Sequence, residues 1–160
     1  MEAQVNWNGK LSFTGKADSG INLNLSSDTN SDGTASGVRP IELFTIGLAG
    51  CTAMDVISIL TKKRQEVTDF YVQVHADMAS EHPKVFTRAV IDYYVTGHNL
   101  DEAAVFRAIE LSAGKYCPAH AMLAKSMPIE LHYHIYEDQG DSNRRHVIDG
   151  DCHVSLKANG

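Results

Sequence analysis

The stretch that most limits the fold is residues 40–64, PIELFTIGLAGCTAMDVISILTKKR, which runs without a helix breaker after Pro40. Proline suits the first turn of a helix, where its missing N–H would have no partner anyway. The closing KKR puts cations where a helix C-terminus favours them. At 1.5 Å per residue such a helix spans about 37 Å. Both of its flanks are apolar, with Leu43, Ile46, Met54 and Ile57 on one and Phe44, Leu48 and Ile59 on another. A chain of 160 residues, 43% hydrophobic and 21% charged, supplies one globular domain. One small domain has difficulty covering two flanks of a long helix. Two arrangements answer the problem. Two such helices pack across a dimer interface, with Gly47 and Gly50 letting the backbones approach, or the helix is wrapped by its own sheet.

The flanking segments read mostly as strands. Apolar residues alternate at Val5, Trp7, Leu11 and Phe13 around an Asn8-Gly9 turn signal, and again at Ile21, Leu23 and Leu25 after the DSG turn at 18–20. These predict a small antiparallel meander. Residues 26–37 are polar and form a loop. Beyond the helix, Phe70, Val72, Val74, Ala76 and Met78 alternate, as do Val85, Ala89, Ile91, Tyr93 and Val95, giving two antiparallel strands joined around EHPK. Asn99 or Asp101 caps a helix over 101–113 that breaks at Gly114. Pro118 then starts a short helix with Cys117 at its N-cap. Ile129, Leu131, Tyr133 and Ile135 mark a last strand. The fold class is α+β with mostly antiparallel pairing. One domain is expected over 1–136, followed by a polar C-terminal extension over 137–160 whose aperiodic sequence assigns no structure.

Composition removes several function classes. With 14 Lys+Arg against 20 Asp+Glu the net charge is −6, and no basic stripe carries interleaved aromatics, so nucleic acid is not an expected partner. The N-terminus has neither the basic start nor the apolar core of a signal peptide. The charge-free apolar run, residues 43–54, is too short to cross a bilayer. The expectation is a cytoplasmic protein with no membrane partner. Thiols stay reduced there, so Cys51, Cys117 and Cys152 are expected free, with any chemistry transient.

Two cysteines stand where chemistry is conceivable. Cys117 at a helix N-terminus, next to Lys115, faces the positive end of the dipole, which favours thiolate. Cys51 sits in an apolar helix that disfavours its anion, and Asp55, one turn on, opposes it further. Each, taken singly, also reads as a small packing residue. If the fold brings the sulfurs together, one can form a sulfenic acid and the other resolve it as a disulfide. His132 and His134 share the polar face of the last strand, and His146, Cys152 and His153 follow in the tail. These are zinc-ligand types, but their spacing matches no compact zinc motif. The reading is a solvated strand face and a loose tail, with no metal.

The segments RPIELFTIGLAGCTAMDVISIL, HPKVFTRAVIDYYVTG and LSAGKYCPAHAML resemble the OsmC/Ohr family, the osmotically inducible and organic-hydroperoxide-resistance proteins, closest to the OsmC-like branch, over about residues 1–136. The resemblance implies an intertwined homodimer, antiparallel sheets wrapped around the long central helices, and sites at the subunit interface. It implies Cys51 as the peroxidatic and Cys117 as the resolving cysteine of a thiol-dependent peroxidase for small organic hydroperoxides. An external dithiol, typically of the lipoyl type, is the implied reductant, with no metal or nucleotide cofactor. The family's hydroperoxide reductases set an arginine from the N-terminal strands and a glutamate near the helix start beside the reactive cysteine. Here TGKADSGINL offers only Lys16, so Arg39 is the candidate arginine. Glu42 is the candidate glutamate, one position late and roughly opposite Cys51 on a straight helix. It would serve the other subunit's site or the helix N-terminus. The alternative function is an OsmC-fold protein without peroxidase activity that binds a small apolar or electrophilic ligand at the dimer interface.

Overall fold

The computed structural model describes residues 1–141 and 143–153, and its contacts separate two units, Met1–Thr45 and the residues from Ile46 onward. In the first unit β1 (Ala3–Gly9), β2 (Ser12–Ala17) and β3 (Asn22–Ser26) form the expected meander in the order β1-β2-β3. The first turn is displaced from Asn8-Gly9. Gly9 pairs with Ser12, leaving Lys10 and Leu11 as the turn residues, and a bulge after Trp7 takes up the shift. Gly9 and Lys10 both take positive φ, 104° and 48°, so the glycine enters the turn and does not centre it. The register lines up Val5, Gly15 and Leu23, then Trp7, Phe13 and Leu25, on one face of the sheet. Val5, Trp7 and Leu23 on that face are exposed.

Helix α1 (Glu42–Lys62) starts and stops slightly inside the expected bounds. Its buried stripe is Leu48, Thr52, Val56 and Leu60, one residue per turn. The apolar members of the stripe join a core with Ile91, Tyr93, Val95, Val105, Ile109 and Leu131. Elsewhere on the helix Phe44 (57% exposed), Ile46 (57%) and Met54 (72%) stay uncovered, and the space beside Gly47 and Gly50 is open. Taken whole, α1 is long and apolar enough to cross a membrane, although its charge-free run is too short. Its buried stripe packs on protein instead.

Strands β4 (Glu66–Met78), β5 (Phe86–His98), β6 (Ile129–Asp138) and β7 (Arg144–Asp151) form a second sheet in the order β4-β5-β6-β7. The outer pairs are antiparallel, but β5 and β6 are parallel. A parallel pair needs a long crossover. Here the crossover is α2 (Glu102–Leu111), a π-helical turn (Ser112–Tyr116) and α3 (Pro118–Leu123). Asp101 is the cap of α2, its carboxylate accepting the Ala103 N–H at 3.0 Å. Gly114 does not break the chain, because the helix continues through the wider π turn that contains it. The expectation of a loose tail is also corrected, since residues 144–151 are β7. Only Ile148 and the following Cys152 turn towards the core, too sparse a pattern to show as an alternation. The Cys152 N–H donates to the Leu131 carbonyl at 2.8 Å and closes the strand. Residues 142 and 154–160 of the tail lie outside the described residues.

Candidate functional site

Cys51 is half-buried on α1 and Cys117 is buried, 2% exposed, at the N-cap of α3, and both are free thiols. The Cys117 sulfur accepts the His120 N–H at 3.3 Å, as the cap position predicts. The expected thiolate does not follow. Burial pushes the Cys117 thiol up to about 12, and a hydrogen bond to Cys51 and the charges of Cys51 and Asp55 push the same way, against the single His120 donor. Lys115 lends no help, its Nζ lying over the Tyr116 ring at 5.3 Å. The fold has therefore brought the two cysteines near enough for Cys51 to act on the Cys117 thiol, and burial holds that thiol protonated. His120 is itself buried, with Nδ1 unpartnered and its pKa lowered by that burial.

A hydroxyl chain that no sequence pattern announced lies alongside. Tyr93 Oη and Thr52 Oγ1 are 2.7 Å apart, Thr52 Oγ1 and Ser112 Oγ 3.0 Å, and the Ser112 hydroxyl donates to Asp55 Oδ2 at 3.0 Å. Thr52 neighbours Cys51, and Ser112 opens the π turn that ends at Cys117. The Cys117 N–H donates to the Ser112 carbonyl at 2.8 Å. π turns of this kind are frequent at functional sites. Asp55 thus finds an internal hydroxyl donor.

The other two candidates hold each other. The Arg39 Nε donates to Glu42 Oε1 at 2.7 Å, its Nη2 donates to the same oxygen, and the Arg39 backbone N–H donates to Glu42 Oε2 at 3.0 Å. Glu42 reaches back over the helix start as the glutamate of a capping box does. Its carboxyl is held below the usual range by the Arg39 guanidinium and amide. Within one copy Glu42 thus lies over its own helix start.

A family model described as OsmC-like protein matches residues 33–132. The chain belongs to the OsmC-like family. Protein YhfA of Escherichia coli K12 is 39% identical over 135 residues, 84% of this chain and 98% of that one. Two solved structures share the OsmC-like fold. An OsmC-like protein from Mycoplasma pneumoniae superposes with a TM-score of 0.71 at 16% identity, covering 84% of this chain and 95% of that one. An organic hydroperoxide resistance protein OsmC from Legionella pneumophila superposes at 0.61 with 15% identity, covering 84% and 94%. Some members of the family are thus hydroperoxide-resistance proteins.

In this OsmC-like chain the histidines of β6 and β7, His132, His134 and His146, stand beside carboxylates of the second sheet. His134 Nδ1 lies 2.7 Å from Asp149 Oδ1 and Nε2 lies 2.9 Å from Asp92 Oδ1, while His146 Nε2 shares the same Asp149 oxygen at 2.8 Å. Only the imidazolium has an N–H for each of two carboxylates. Partial burial pulls the His134 pKa down, the bonds to Asp92 and Asp149 pull it up, and the net is raised. A group whose folded pKa is raised adds stability that is full below its unfolded value near 6.5 and fades as pH climbs through the folded value. His134→Gln should therefore lower the thermal unfolding midpoint most at pH 5.5 to 6, with the gap from the parent shrinking towards pH 9. A gap that is flat across that range would rule the linkage out. Among the described residues no group of three or more His, Cys, Asp or Glu side chains is arranged to hold a metal ion.

Proposed function

We propose that this chain is a thiol-dependent peroxidase for small organic hydroperoxides, working through Cys51 and Cys117 as a homodimer. The observation that supports the reading is that a half-buried Cys51 lies near enough to the buried Cys117 to act on its thiol. The Cys51 thiolate attacks the terminal oxygen of ROOH. An S–O bond forms, the O–O bond breaks, and the alkoxide takes a proton and leaves as alcohol. Cys117 then attacks the Cys51 sulfenic acid, forming the disulfide and releasing water. An external dithiol, of the lipoyl type in the family pattern, returns both thiols. By the family pattern Arg39, bonded to Glu42, is the candidate cation, with the guanidinium fork that Lys16 lacks. Free thiols at all three cysteines suit a reducing compartment, and the cytoplasm is the proposed location.

The test is a thiol count on reduced protein before and after an equimolar alkyl hydroperoxide, with the disulfide mapped by mass spectrometry. The expected result is loss of two of the three thiols within seconds, joined as Cys51–Cys117. Cys51→Ser should abolish the loss, and Arg39→Gln should slow it more than about tenfold, the range of a removed charge-assisted contact. Three thiols that persist for many minutes would sink the peroxidase reading and bring forward ligand binding at the dimer interface.

A further inference from the structure

Ser112 is bonded to both segments that carry the cysteine pair. Its carbonyl accepts the Cys117 N–H at 2.8 Å, the wide hydrogen bond of the π turn that ends there. Its hydroxyl lies 3.0 Å from Thr52 Oγ1 and donates to Asp55 Oδ2 at 3.0 Å. Thr52 is the residue after Cys51, and Asp55 stands one helical turn beyond Cys51. One residue therefore grips the main chain at Cys117 and the turn of α1 that holds Cys51. Valence gives the tie a single direction. A carboxylate only accepts, so the one hydrogen on Ser112 Oγ goes to Asp55, Ser112 Oγ accepts from Thr52, and Thr52 Oγ1 accepts from Tyr93 Oη of β5 at 2.7 Å. Tyr93, Thr52 and Ser112 are almost wholly buried, so no water competes for these bonds. A disulfide needs that kind of hold, because it closes only at Cα separations of about 4.4–6.8 Å and with a set torsion about the S–S bond.

Resting on the peroxidase reading above, we propose that Ser112 is a positioning residue: its side chain ties the turn that carries Cys117 to the turn of α1 that carries Cys51 and sets the approach of the two sulfurs for disulfide formation. Oxidised Cys51 then meets Cys117 without a search. The Cys117 sulfur displaces the oxygen of the Cys51 sulfenic acid, the S–S bond forms, the S–O bond breaks, and the oxygen leaves with the Cys117 hydrogen as water.

Ser112→Ala removes the hydroxyl and keeps the carbonyl that holds Cys117, so it cuts the tie on the α1 side alone. In a Cys152→Ser background, the first readout is the equilibrium between the Cys51–Cys117 dithiol and its disulfide in glutathione redox buffers, which gives the effective concentration of one thiol at the other. Ser112→Ala should lower that concentration about tenfold or more, since a misplacement of roughly 1 Å between reacting groups costs up to about a hundredfold. This readout needs no peroxide and stands whether or not the peroxidase reading survives. The second is the lifetime of the Cys51 sulfenic acid after a single pulse of alkyl hydroperoxide, read by dimedone trapping, and Ser112→Ala should lengthen it by a similar factor. If Ser112→Ala does not fold, Thr52→Val removes the neighbouring hydroxyl at constant shape, and Thr52→Ser, which keeps that hydroxyl, should hold both values at the parent's. An effective concentration that stays at the parent's value in whichever hydroxyl-free variant folds would overturn the proposal, as would a sulfenic acid that decays there at the parent's rate.

Discussion

Gly97→Ala should destabilise the protein by about 3 kcal/mol or more, the upper range for forced overpacking, and lower its thermal midpoint by roughly 10 °C. Gly97 lies in the middle of the second sheet, paired with Val67 on one side and Glu137 on the other. A Cβ added there would run into the Glu66 carbonyl and the Leu100 side chain. The side chain can turn away, but the carbonyl is backbone and moves only with β4. That is why a single methyl has so large an effect at a position whose φ is ordinary. Circular dichroism melts of parent and variant are enough to decide. A midpoint within about 2 °C of the parent would mean that the β4–β5 edge yields freely, and the close approach would then have no energetic weight.

Ile46→Glu should convert a dimer into monomers, with the parent sedimenting at twice the chain mass and the variant at the chain mass. The homodimer is the proposed assembly, and the support for it is the apolar surface that one copy leaves uncovered. Phe44, Ile46 and Met54 stand out from α1 beside two glycines with open space around them. Covering an isoleucine is worth about 1.5–3 kcal/mol, and a carboxylate in its place must be stripped of water. In a two-fold interface each substitution is felt twice. The dissociation constant should therefore rise by at least about a hundredfold. A parent that sediments at the chain mass at micromolar concentration would remove the homodimer from the proposal, together with any site that needs the partner.

The helix that organises the chain could be read from the sequence because its signals are local. Pro40, the unbroken 3.6-residue pattern and the terminal cations all lie within one segment. The N-cap role of Cys117 was legible for the same reason, since the cap and Pro118 are adjacent. The sign of its ionisation was not. Helix position argues for thiolate, and only the fold supplies the burial, Cys51 and Asp55 that reverse it. The hydroxyl chain was invisible because Thr52, Tyr93 and Ser112 come from a helix, a strand and a turn, and nothing in their spacing relates them. Strand β7 was missed because its hold on β6 comes from Ile148, Cys152 and histidine–aspartate pairs, where the apolar alternation that marks a strand is too thin. Arg39 and Glu42 stand three apart, a spacing at which side chains meet. The family pattern drew attention to Cys51 and away from that simpler pairing.

The parallel pairing of β5 with β6 also sets an order of events during folding. These strands can meet only when the whole crossover between them has closed, a slower search than zipping the adjacent β4–β5 hairpin. Cys117 lies in that crossover. Its sulfur reaches its buried place only when that crossover has packed. A nascent or partly unfolded chain therefore presents this thiol to any oxidant in its surroundings, and the finished fold buries it.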